Sequence, residues 1–559
     1  MTPVLTPVMT EARRGLTNRA PEAPVARHGG RVITLAELLG DAQTLRRRLP
    51  EAASGAPLIN ACQGRYAFLV GFVACLLAGR PCLLPGDRGV QRVAHLRARH
   101  PGCEVLTDDA GAGGIVVPTV TGARADPREA TVADGLVTTI AFTSGTTGDP
   151  VEHTRSWGSQ VLQIDALAER LGLIGDAPAS VVATVPFGHM YGFELTILMP
   201  LRASVAIHTG TPLYAEDIRQ ALEAVPAPRV LVTSPFHLRA LAGLTAPVPA
   251  IARVISATAP LGAGLAQRIE DRFATEVHEI YGCTEAGSVA TRRTVDAARW
   301  RPVDGVRFAA VGTTFQVEVP GMRGAVPLAD VLALDPDGGF ELLGRIGDLI
   351  KVGGKRGSLT ALTNALLAID GVTDGVVVMP DEEGAPEGDG AMRPVALAVA
   401  PGLTAGDVLK ALRRLVDPAF VPRRAILLDA LPRDALGKLQ RAEVTALLTS
   451  RTPEETSVTV VFDADHPALP GHFPGRPLVP GVVLLDAIVR EARDAFELGP
   501  LAGIAQAKFR HAVPPGAATE VALRRLAAAR VGYQVRLNGQ VVATGELGFA
   551  DAGVKDGPT

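Results

Sequence analysis

A run of hydroxyl and glycine residues directly follows the apolar, β-branched segment Val137–Phe142. The run consists of Thr143, Ser144, Gly145, Thr146, Thr147 and Gly148. Glycine lets backbone N–H groups approach an anion closely, and hydroxyls donate hydrogen bonds or reach a metal ion. A strand that leads into such a run is therefore typical of a phosphate-binding loop. The run lacks the spacing and the lysine of a Walker loop, and on its own it also fits a plain Ser/Thr/Gly turn.

Another strand-like segment leads into a second candidate part of a phosphate-binding or nucleotide-binding site. It contains Tyr281, Thr284 and Glu285 within five residues. A nucleotide site needs an aromatic ring to cover adenine, a hydroxyl for the α-phosphate and a carboxylate for Mg²⁺. His189 follows a further strand end, together with Tyr191. A histidine at this point is also consistent with a purely structural role.

Three other charged residues stand in segments that read as turns or strand ends. Asp330 precedes Arg345, which lies in the segment Gly344–Lys351, and Lys438 closes a turn that contains proline and glycine.

A different pattern begins beyond residue 448. Prolines and glycines fix an extended loop that contains His472, and Pro480 with Gly481 opens an apolar helix predicted over Val482–Ala495. The free N–H groups at Gly481 could polarise a thioester carbonyl. Asp486, early in this helix, either stabilises the helix dipole or, if buried among its apolar neighbours, has a raised pKa that suits a proton donor.

Strands and helices alternate along the first part of the chain, which predicts a parallel α/β sheet. The predicted strands are Pro57–Ala61, Pro81–Pro85, Ile115–Val120, Val137–Phe142, Val181–Val185, Val230–Thr233 and Arg253–Ser256. The predicted helices are Thr34–Leu49, Tyr66–Ala78, Ser156–Leu171, Ala215–Ala224 and Gly264–Phe273.

Length and composition limit the classes of function. A chain of 559 residues predicts about three to four domains. A net charge of -3 without long basic runs argues against nucleic acid and anionic membranes as partners. The five cysteines are scattered and form no CxxC pair, which favours a reducing cytoplasm over a disulfide framework or a zinc site. The sequence has neither a signal-peptide core nor an apolar run long enough for a transmembrane segment.

The ordered motifs resemble the adenylate-forming superfamily of acyl and aryl ligases over roughly residues 25–448. The resemblance implies ATP-dependent activation of a carboxylic acid to an acyl-adenylate and transfer to the thiol of CoA or of a phosphopantetheinyl carrier protein. By resemblance, Thr143 to Gly148 hold the phosphates, Thr147 and Glu285 bind Mg²⁺, Tyr281 flanks adenine and Thr284 contacts phosphate. Asp330 and Arg345 hold the ribose, His189 lies beside the substrate carboxylate, and Lys438 neutralises charge in the transition state.

Two departures from this family concern cations and motion. The lysine that usually follows the phosphate loop is replaced at Val151, and Arg155 is a candidate substitute. Gly347 stands at the hinge, where glycine tolerates the backbone rotation of a swinging lid.

The segment His472–Gly481 resembles the HFPGxPxxPG motif of the hot-dog-fold 3-hydroxyacyl-carrier-protein dehydratases, over roughly residues 458–550. By resemblance, His472 removes the α-proton of the substrate and Asp486 protonates the departing hydroxyl. In this family the active site is built across a dimer, with the histidine and the acid from different protomers.

The sequence therefore predicts an α/β multidomain enzyme that is both a ligase and a dehydratase. Its predicted parts are an adenylate-forming domain (1–345), a mobile α+β lid (346–448), a linker (449–457), an α+β hot-dog domain (458–550) and a tail (551–559). The expected partners are a small carboxylic acid, an acyl carrier protein in trans and a second copy of the chain, in a fatty-acid, polyketide or aryl-polyene-like pathway. The alternatives are a ligase with a non-catalytic hot-dog module for dimerisation or carrier binding, and a hot-dog thioesterase.

Overall fold

The computed structural model describes residues 12–550 except for 51–54, 87, 144–150, 297–298, 346–347, 353–354, 380–393, 423, 434–438, 440–442, 445–446, 449–454, 470–476, 497 and 528. The described chain divides into two compact units. The first comprises residues 12–348 and Arg433, and the second comprises residues 349–432 and those from 439 onward. None of the helices in these ranges is both long enough and apolar enough to cross a membrane.

The helices of the first unit begin and end at capping residues. They are α1 (Leu35–Arg46), α2 (Arg65–Ala78), α3 (Val90–Arg99), α4 (Trp157–Arg170), α5 (Met190–Phe193), α6 (Met199–Arg202), α7 (Ala215–Glu223), α8 (Pro235–Gly243) and α9 (Ala263–Phe273), with a 3-10 turn at Pro127–Glu129 and a π-helical turn at Glu194–Leu198. Thr34 and Glu37 form a capping box at the start of α1. Gly79, with φ 65°, ends α2 in the left-handed conformation that glycine favours.

The strands of the first unit belong mainly to two sheets. They are β1 (Arg13–Gly15), β2 (Pro24–His28), β3 (Arg31–Thr34), β4 (Leu58–Asn60), β5 (Cys82–Leu83), β6 (Glu104–Thr107), β7 (Ile115–Val116), β8 (Thr131–Ala133), β9 (Val137–Thr143), β10 (Val151–Ser156), β11 (Ala179–Ala183), β12 (Val205–His208), β13 (Arg229–Thr233), β14 (Arg253–Ser256), β15 (Glu276–Cys283), β16 (Gly287–Arg293), β17 (Arg301–Pro302), β18 (Arg307–Val311), β19 (Thr314–Glu318), β20 (Val326–Leu328), β21 (Asp330–Leu334) and β22 (Phe340–Arg345).

The larger sheet has the order β17-β16-β15-β14-β13-β11-β12-β2-β3, and the smaller has the order β10-β9-β5-β4-β6-β7. Neighbouring strands from β2 through β12, β11, β13 and β14 to β15 are parallel, whereas β10 pairs with β9 and β16 pairs with β15 in antiparallel fashion. The parallel pairing predicted for these strands is confirmed, but the strands are divided between two sheets, and β10 and β16, which were not predicted, add antiparallel pairs. Short connections return β10 and β16 directly beside the preceding strand, which only antiparallel pairing allows.

Helix α2 packs against the segment that carries His189. It is apolar around most of its circumference and is buried along most of its length, as expected for a helix in the centre of a large domain. Phe68 meets Phe187 edge to face at 5.0 Å between ring centroids, and Phe72 meets Phe193 in the same way at 5.0 Å. These contacts fix the segment that carries His189 on both sides.

The second unit begins with small α+β elements. They are β23 (Leu349–Val352), β24 (Lys355–Ser358), α10 (Leu359–Leu367), β25 (Asp374–Val378), β26 (Val395–Val399), α11 (Ala405–Leu415) and β27 (Arg424–Leu427), with a 3-10 turn at Pro418–Phe420. Strands β25, β26 and β27 form one sheet, and β23 pairs with β24. The buried core of these α+β elements includes Leu362, Leu366 and Leu412.

The C-terminal part of the second unit is an antiparallel sheet with one long helix. Its elements are β28 (Glu455–Val461), α12 (Gly481–Phe496), β29 (Leu501–Phe509), β30 (Ala518–Ala527), β31 (Arg530–Leu537) and β32 (Gln540–Phe549). The sheet order is β28-β30-β31-β32-β29, and Leu484 and Ile488 of α12 lie in the core that the sheet covers. This is the hot-dog arrangement. Strand β28 begins at Glu455, earlier than the predicted linker allows, because pairing with β30 continues to Glu455, which lies opposite Arg524 and forms an ion pair of 3.1 Å with it.

Candidate functional site

Tyr281, Asp330 and Arg345 come together in the first unit. The Tyr281 hydroxyl donates a hydrogen bond of 2.8 Å to Asp330 Oδ2, and Arg345 Nε lies 3.3 Å from Asp330 Oδ1. Asp330 and Arg345 face each other because β21 and β22 pair them directly. The Asp330 side chain is largely buried, whereas Arg345 extends into solvent. A buried carboxylate with two donors is well held for hydrogen bonding to ligand hydroxyls.

The ring of Tyr281 rests on an aromatic cluster. Trp300, Phe308 and Phe340 lie 5.7, 6.4 and 5.6 Å from its ring centroid. Burial raises the pKa of the Tyr281 hydroxyl, and the charge of Asp330 raises it further, so the phenol remains a hydrogen-bond donor across the physiological pH range. The cluster fixes the position of the ring that the sequence assigns to adenine.

Glu285 lies in the turn between β15 and β16, together with Thr284, and both residues are half-buried. His153 Nε2 of β10 lies 3.7 Å from Glu285 Oε1. Burial, together with the negative charge of nearby Glu285, raises the pKa of the Cys283 thiol to about 12. Strands β9 and β10 form the hairpin that flanks the predicted phosphate loop. Because His153 belongs to β10, its contact with Glu285 places this carboxylate beside that hairpin.

Several predicted site residues lie outside the described residues. Thr143 ends β9, but Ser144, Gly145, Thr146, Thr147 and Gly148 are outside the described ranges, as are Gly347, Lys438 and His472. The strands that flank the predicted phosphate loop are described, and they pair with Val151 opposite Thr143. The hairpin therefore brings the two ends of the predicted loop together.

His189 is the residue before α5 rather than part of an extended loop. It is half-buried. Tyr191 lies within α5, and its hydroxyl donates to the carbonyl oxygens of Thr233 and Ile255 at 3.1 and 2.9 Å. This anchors the helix to the carboxyl ends of β13 and β14, where ligands bind in open α/β sheets.

Arg155 does not replace the missing lysine, so that prediction is wrong. Its side chain is 1% exposed and points into the protein, where one guanidinium nitrogen donates to Gln163 Oε1 at 2.5 Å and Ser159 Oγ at 3.1 Å. Nearby Glu194 is also buried and accepts from the Ser288 backbone N–H at 3.0 Å. Burial lowers the pKa of Arg155, and the charge of Glu194 opposes that shift. Arg155 thus belongs to a buried structural network.

In the hot-dog part, Gly481 begins α12 as predicted. The ring of Phe509 from β29 lies against Gly481, since a Cβ there would be 3.2 Å from it. Asp486 is exposed in the single chain, so the predicted burial among apolar neighbours is wrong. Helical spacing explains this, because Asp486 shares a face with Val482, which is 73% exposed, and with exposed Arg490.

Strand β29 forms an edge of the hot-dog sheet and is exposed at every position. Its large apolar residues include Leu501, Ile504 and Phe509, which are 37%, 47% and 48% exposed. Long apolar edge strands invite pairing with another chain.

Comparison with known proteins agrees with both parts of the fold. The profile of a family described as AMP-binding enzyme matches residues 16–339, and that of a family described as ApeI dehydratase matches residues 449–546. A 4-coumarate–CoA ligase of Halorhodospira halophila is 28% identical over 313 residues, which cover 53% of this chain and 74% of the relative. A 4-chlorobenzoate–CoA ligase of Pseudomonas sp. is 26% identical over 409 residues, which cover 65% and 74%.

A solved structure shows the same ligase fold. The o-succinylbenzoate coenzyme A synthetase of Bacillus subtilis, in complex with ATP and magnesium ion, superposes with a TM-score of 0.62 at 19% identity, over 76% of this chain and 96% of that one. The chain belongs to the AMP-binding enzyme family and carries an ApeI-like dehydratase domain at its C-terminal end. Both resemblances found in the sequence are thereby confirmed, as is the prediction of an enzyme with a ligase part and a dehydratase part.

The sequence reasoning missed His153, which contacts Glu285, and Cys283, which lies two residues before it. Cys283 lies inside the motif that was singled out, and its proximity to Glu285 in sequence was the available signal. His153 could have been found from the alternation of side chains along the strand after the phosphate loop, which puts Val151, His153 and Arg155 on one face.

Proposed function

We propose that this enzyme activates a carboxylic acid with ATP. Tyr281 flanks adenine, Asp330 and Arg345 hold the ribose hydroxyls, and Thr284 contacts phosphate. The observation that carries the proposal is the group of Tyr281, Asp330 and Arg345 in the unit that also brings Glu285 to the phosphate-loop hairpin. An aromatic ring, a carboxylate for the ribose and a carboxylate for Mg²⁺ beside the phosphate loop are groups that suit the binding of a nucleotide.

The donor set fits Mg²⁺. This ion is usually bound by one or two carboxylates together with phosphate oxygens and waters, and Glu285 supplies one partly exposed carboxylate, with Thr147 as the proposed second ligand. When bound, Mg²⁺ neutralises charge on the phosphates of ATP. Glu285 and Thr147 would then hold the triphosphate in line for attack.

In the proposed reaction, a carboxylate oxygen of the acid attacks the α-phosphorus of ATP, and the bond to pyrophosphate breaks. A thiol then attacks the carbonyl of the acyl-adenylate and AMP leaves. His189 positions the substrate carboxylate. Lys438 stabilises negative charge that develops during attack, which is how most phosphoryl transfer is catalysed.

The proposed substrate is a plain acyl or aryl acid. The segment from His189 to Glu194 has no early aspartate of the kind that holds an α-amine. The names of the relatives, which include ligases for 4-coumarate and 4-chlorobenzoate, support an aryl acid. The proposed acceptor is the thiol of CoA or of a phosphopantetheinyl carrier protein in trans.

ATP–pyrophosphate exchange over a panel of aryl, short-chain and 3-hydroxy acids tests this function. The best acid should support exchange, and Lys438→Ala should reduce exchange by about 10²–10³-fold while ATP binding is retained. Exchange at the wild-type rate in Lys438→Ala would remove Lys438 from the reaction. Absence of exchange with every acid and of any ATP binding would contradict the proposed ligase activity.

For the C-terminal domain we propose dehydration of a 3-hydroxyacyl thioester to the trans-2-enoyl form. His472 removes the α-proton, Asp486 protonates the departing hydroxyl, and the N–H of Gly481 polarises the thioester carbonyl. The exposure of Asp486 and of strand β29 supports a site that is completed by a second copy of the chain. Formation of the 2-enoyl thioester from a 3-hydroxyacyl carrier protein, followed by absorbance or mass spectrometry, tests the activity.

The same exposure favours one rival function. A hot-dog module that only dimerises or binds a carrier protein would also leave Asp486 and β29 uncovered in the single chain. Such a module predicts carrier binding without 2-enoyl product, and a thioesterase predicts release of the free acid instead.

The proposal keeps the lid drawn from the sequence over 346–448, and it moves the start of the hot-dog domain from 458 to Glu455, where β28 begins. It places the enzyme in the cytoplasm, in a fatty-acid, polyketide or aryl-polyene-like pathway. The fusion of the two domains supports that placement, because both act on thioester-bound or thioester-forming acyl groups.

A further inference from the structure

Strand β10 carries three side chains on one face at increasing depth. Val151 is 49% exposed, the His153 side chain is 18% exposed, and Arg155 is buried. Val151 occupies the position of the customary lysine, and the Arg155 guanidinium forms hydrogen bonds with Ser159 and Gln163 in the interior. His153 is therefore the polar residue of this face that reaches the proposed nucleotide site.

His153 lies against Glu285. The imidazole Nε2 lies 3.7 Å from Glu285 Oε1. Glu285 sits in a turn and is 34% exposed, so without such a neighbour its carboxylate would sample several rotamers. Groups that orient a metal ligand in this way typically change metal affinity by about 10–100-fold when removed.

We infer that His153 is a positioning residue of the adenylation site, which orients Glu285 for Mg²⁺ and ATP beside a phosphate loop that lacks the customary lysine. The inference rests on the proposed function. Its rival is a contact that contributes only to folding. The two roles predict different effects of His153→Ala in a chain that lacks the Glu285 carboxylate. If His153 only positions Glu285, the substitution has no further effect there, whereas a contribution to folding would still be lost.

The test is a double-mutant cycle on the full chain, with ATP binding measured by titration calorimetry at increasing Mg²⁺. His153→Ala should raise the Mg²⁺ concentration for half-maximal ATP binding by about 10–100-fold. His153→Gln should restore most of the loss, because the amide N–H reaches about as far as Nε2. In Glu285→Ala, adding His153→Ala should change binding by less than about twofold.

The chain offers a matched control on the other face of β10. His100 Nε2 lies 3.2 Å from Glu152 Oε1, with a His100 side chain that is 16% exposed. His100→Ala removes a histidine–glutamate contact of the same kind and burial, away from Glu285. It should leave the Mg²⁺ dependence unchanged, and the melting temperatures of all variants report on folding.

The inference fails, with the proposed nucleotide site intact, if His153→Ala keeps the wild-type Mg²⁺ dependence while Glu285→Ala is impaired. It also fails if the losses of ATP binding caused by His153→Ala and Glu285→Ala simply add in the double mutant. An equal loss in His100→Ala would also overturn it, because it would show a general effect of the strand. If the wild-type chain binds no ATP, or if Glu285→Ala binds Mg²⁺ and ATP normally, the proposed nucleotide site fails and the inference fails with it.

Discussion

The two candidate sites differ in how far one chain completes them. In the nucleotide site, Asp330 is buried, accepts a hydrogen bond from Tyr281 and pairs with Arg345. In the hot-dog domain, Asp486 is exposed on the outer face of α12, and the edge strand β29 is exposed at every position. The first site is organised by contacts within its own unit, whereas the second leaves its acid and its sheet edge exposed in the single chain.

This difference shows what each reaction requires of the fold. Adenylation needs several fixed charges and donors around one nucleotide, and a large α/β unit can supply them from neighbouring strands. A small hot-dog domain has a single long helix and a single sheet, so a second copy is the simplest source of further walls and groups for a thioester site. We therefore expect mutations to separate the two activities.

The largest effect should come from Asp486→Asn. An amide cannot donate the proton that the leaving hydroxyl needs, so dehydration should fall by about 10²–10⁴-fold. ATP–pyrophosphate exchange by the same protein should remain unchanged, because the nucleotide site lies in the other unit. Arg490→Gln, on the same exposed face of α12, is the matched control and should retain dehydration. Full dehydration by Asp486→Asn would exclude this carboxylate from the chemistry.

Asp330→Ala should weaken ATP binding by about 10–100-fold, since hydrogen bonds to a charged group contribute about 1.5–3 kcal/mol. Tyr281→Phe removes only one neutral donor and should cost less, about 2–10-fold. Dehydration should be unaffected in both variants. Calorimetric ATP affinities that reverse this order would show that Asp330 is not the main ligand contact of this pair.

A charge on the exposed edge should weaken the proposed dimer. Ile504→Lys on β29 should raise the dimer dissociation constant by about tenfold or more, because lysine on an edge strand opposes pairing. Val461→Lys, on the opposite edge strand β28 and 52% exposed, is the control and should leave assembly unchanged. Light scattering against concentration measures both. Equal effects of the two substitutions would argue against β29 as the specific edge of assembly.

The smallest expected effect concerns pH and the first unit. His237 is buried, and its Nδ1 lies 3.0 Å from Ser234 Oγ and 3.2 Å from Thr184 Oγ1. Burial lowers the pKa of His237 from 6.5 to about 4, so the unfolded chain binds the extra proton first as pH falls. The stability contributed by neutral His237 is complete above about pH 6.5 and is lost as pH falls toward 4, by about 1 kcal/mol at pH 5.5.

Replacing His237 by glutamine should remove that part of the pH dependence while a polar side chain is retained. Thermal unfolding of both proteins between pH 7.5 and pH 5 measures the difference. An unchanged slope in His237→Gln would show that other groups cause the acid sensitivity.

The sequence predicted some of this arrangement for clear physical reasons. A strand followed by a turn keeps Tyr281, Thr284 and Glu285 together, so their proximity needed no long-range information. The spacing of apolar residues predicted α1 and α2 for similar reasons, although α1 ends at Arg46 rather than at the predicted Leu49. The pairing of Asp330 with Arg345 depends on the register of a hairpin that contains a bulge between Val331 and Leu332, which the sequence did not reveal.

The wrong predictions have a common cause. Because Arg155 lies close to the phosphate loop in sequence, it was a candidate to replace the missing lysine. The direction of its side chain on β10 instead takes it into the protein interior. Asp486 was expected to be buried because apolar residues flank it in sequence. On a helix its true neighbours are Val482 and Arg490, one turn away in each direction, and the arginine already indicated an exposed face.

The central claim is that adenylation is complete in one chain whereas dehydration needs two. Mixing His472→Ala with Asp486→Asn tests it directly, after mass spectrometry of differently tagged chains has verified subunit exchange. Each variant alone should show wild-type ATP–pyrophosphate exchange and almost no dehydration. The mixture should regain part of the dehydration activity, because some heterodimers contain one intact pair of His472 and Asp486. With subunit exchange confirmed, a mixture that regains no dehydration would contradict the claim.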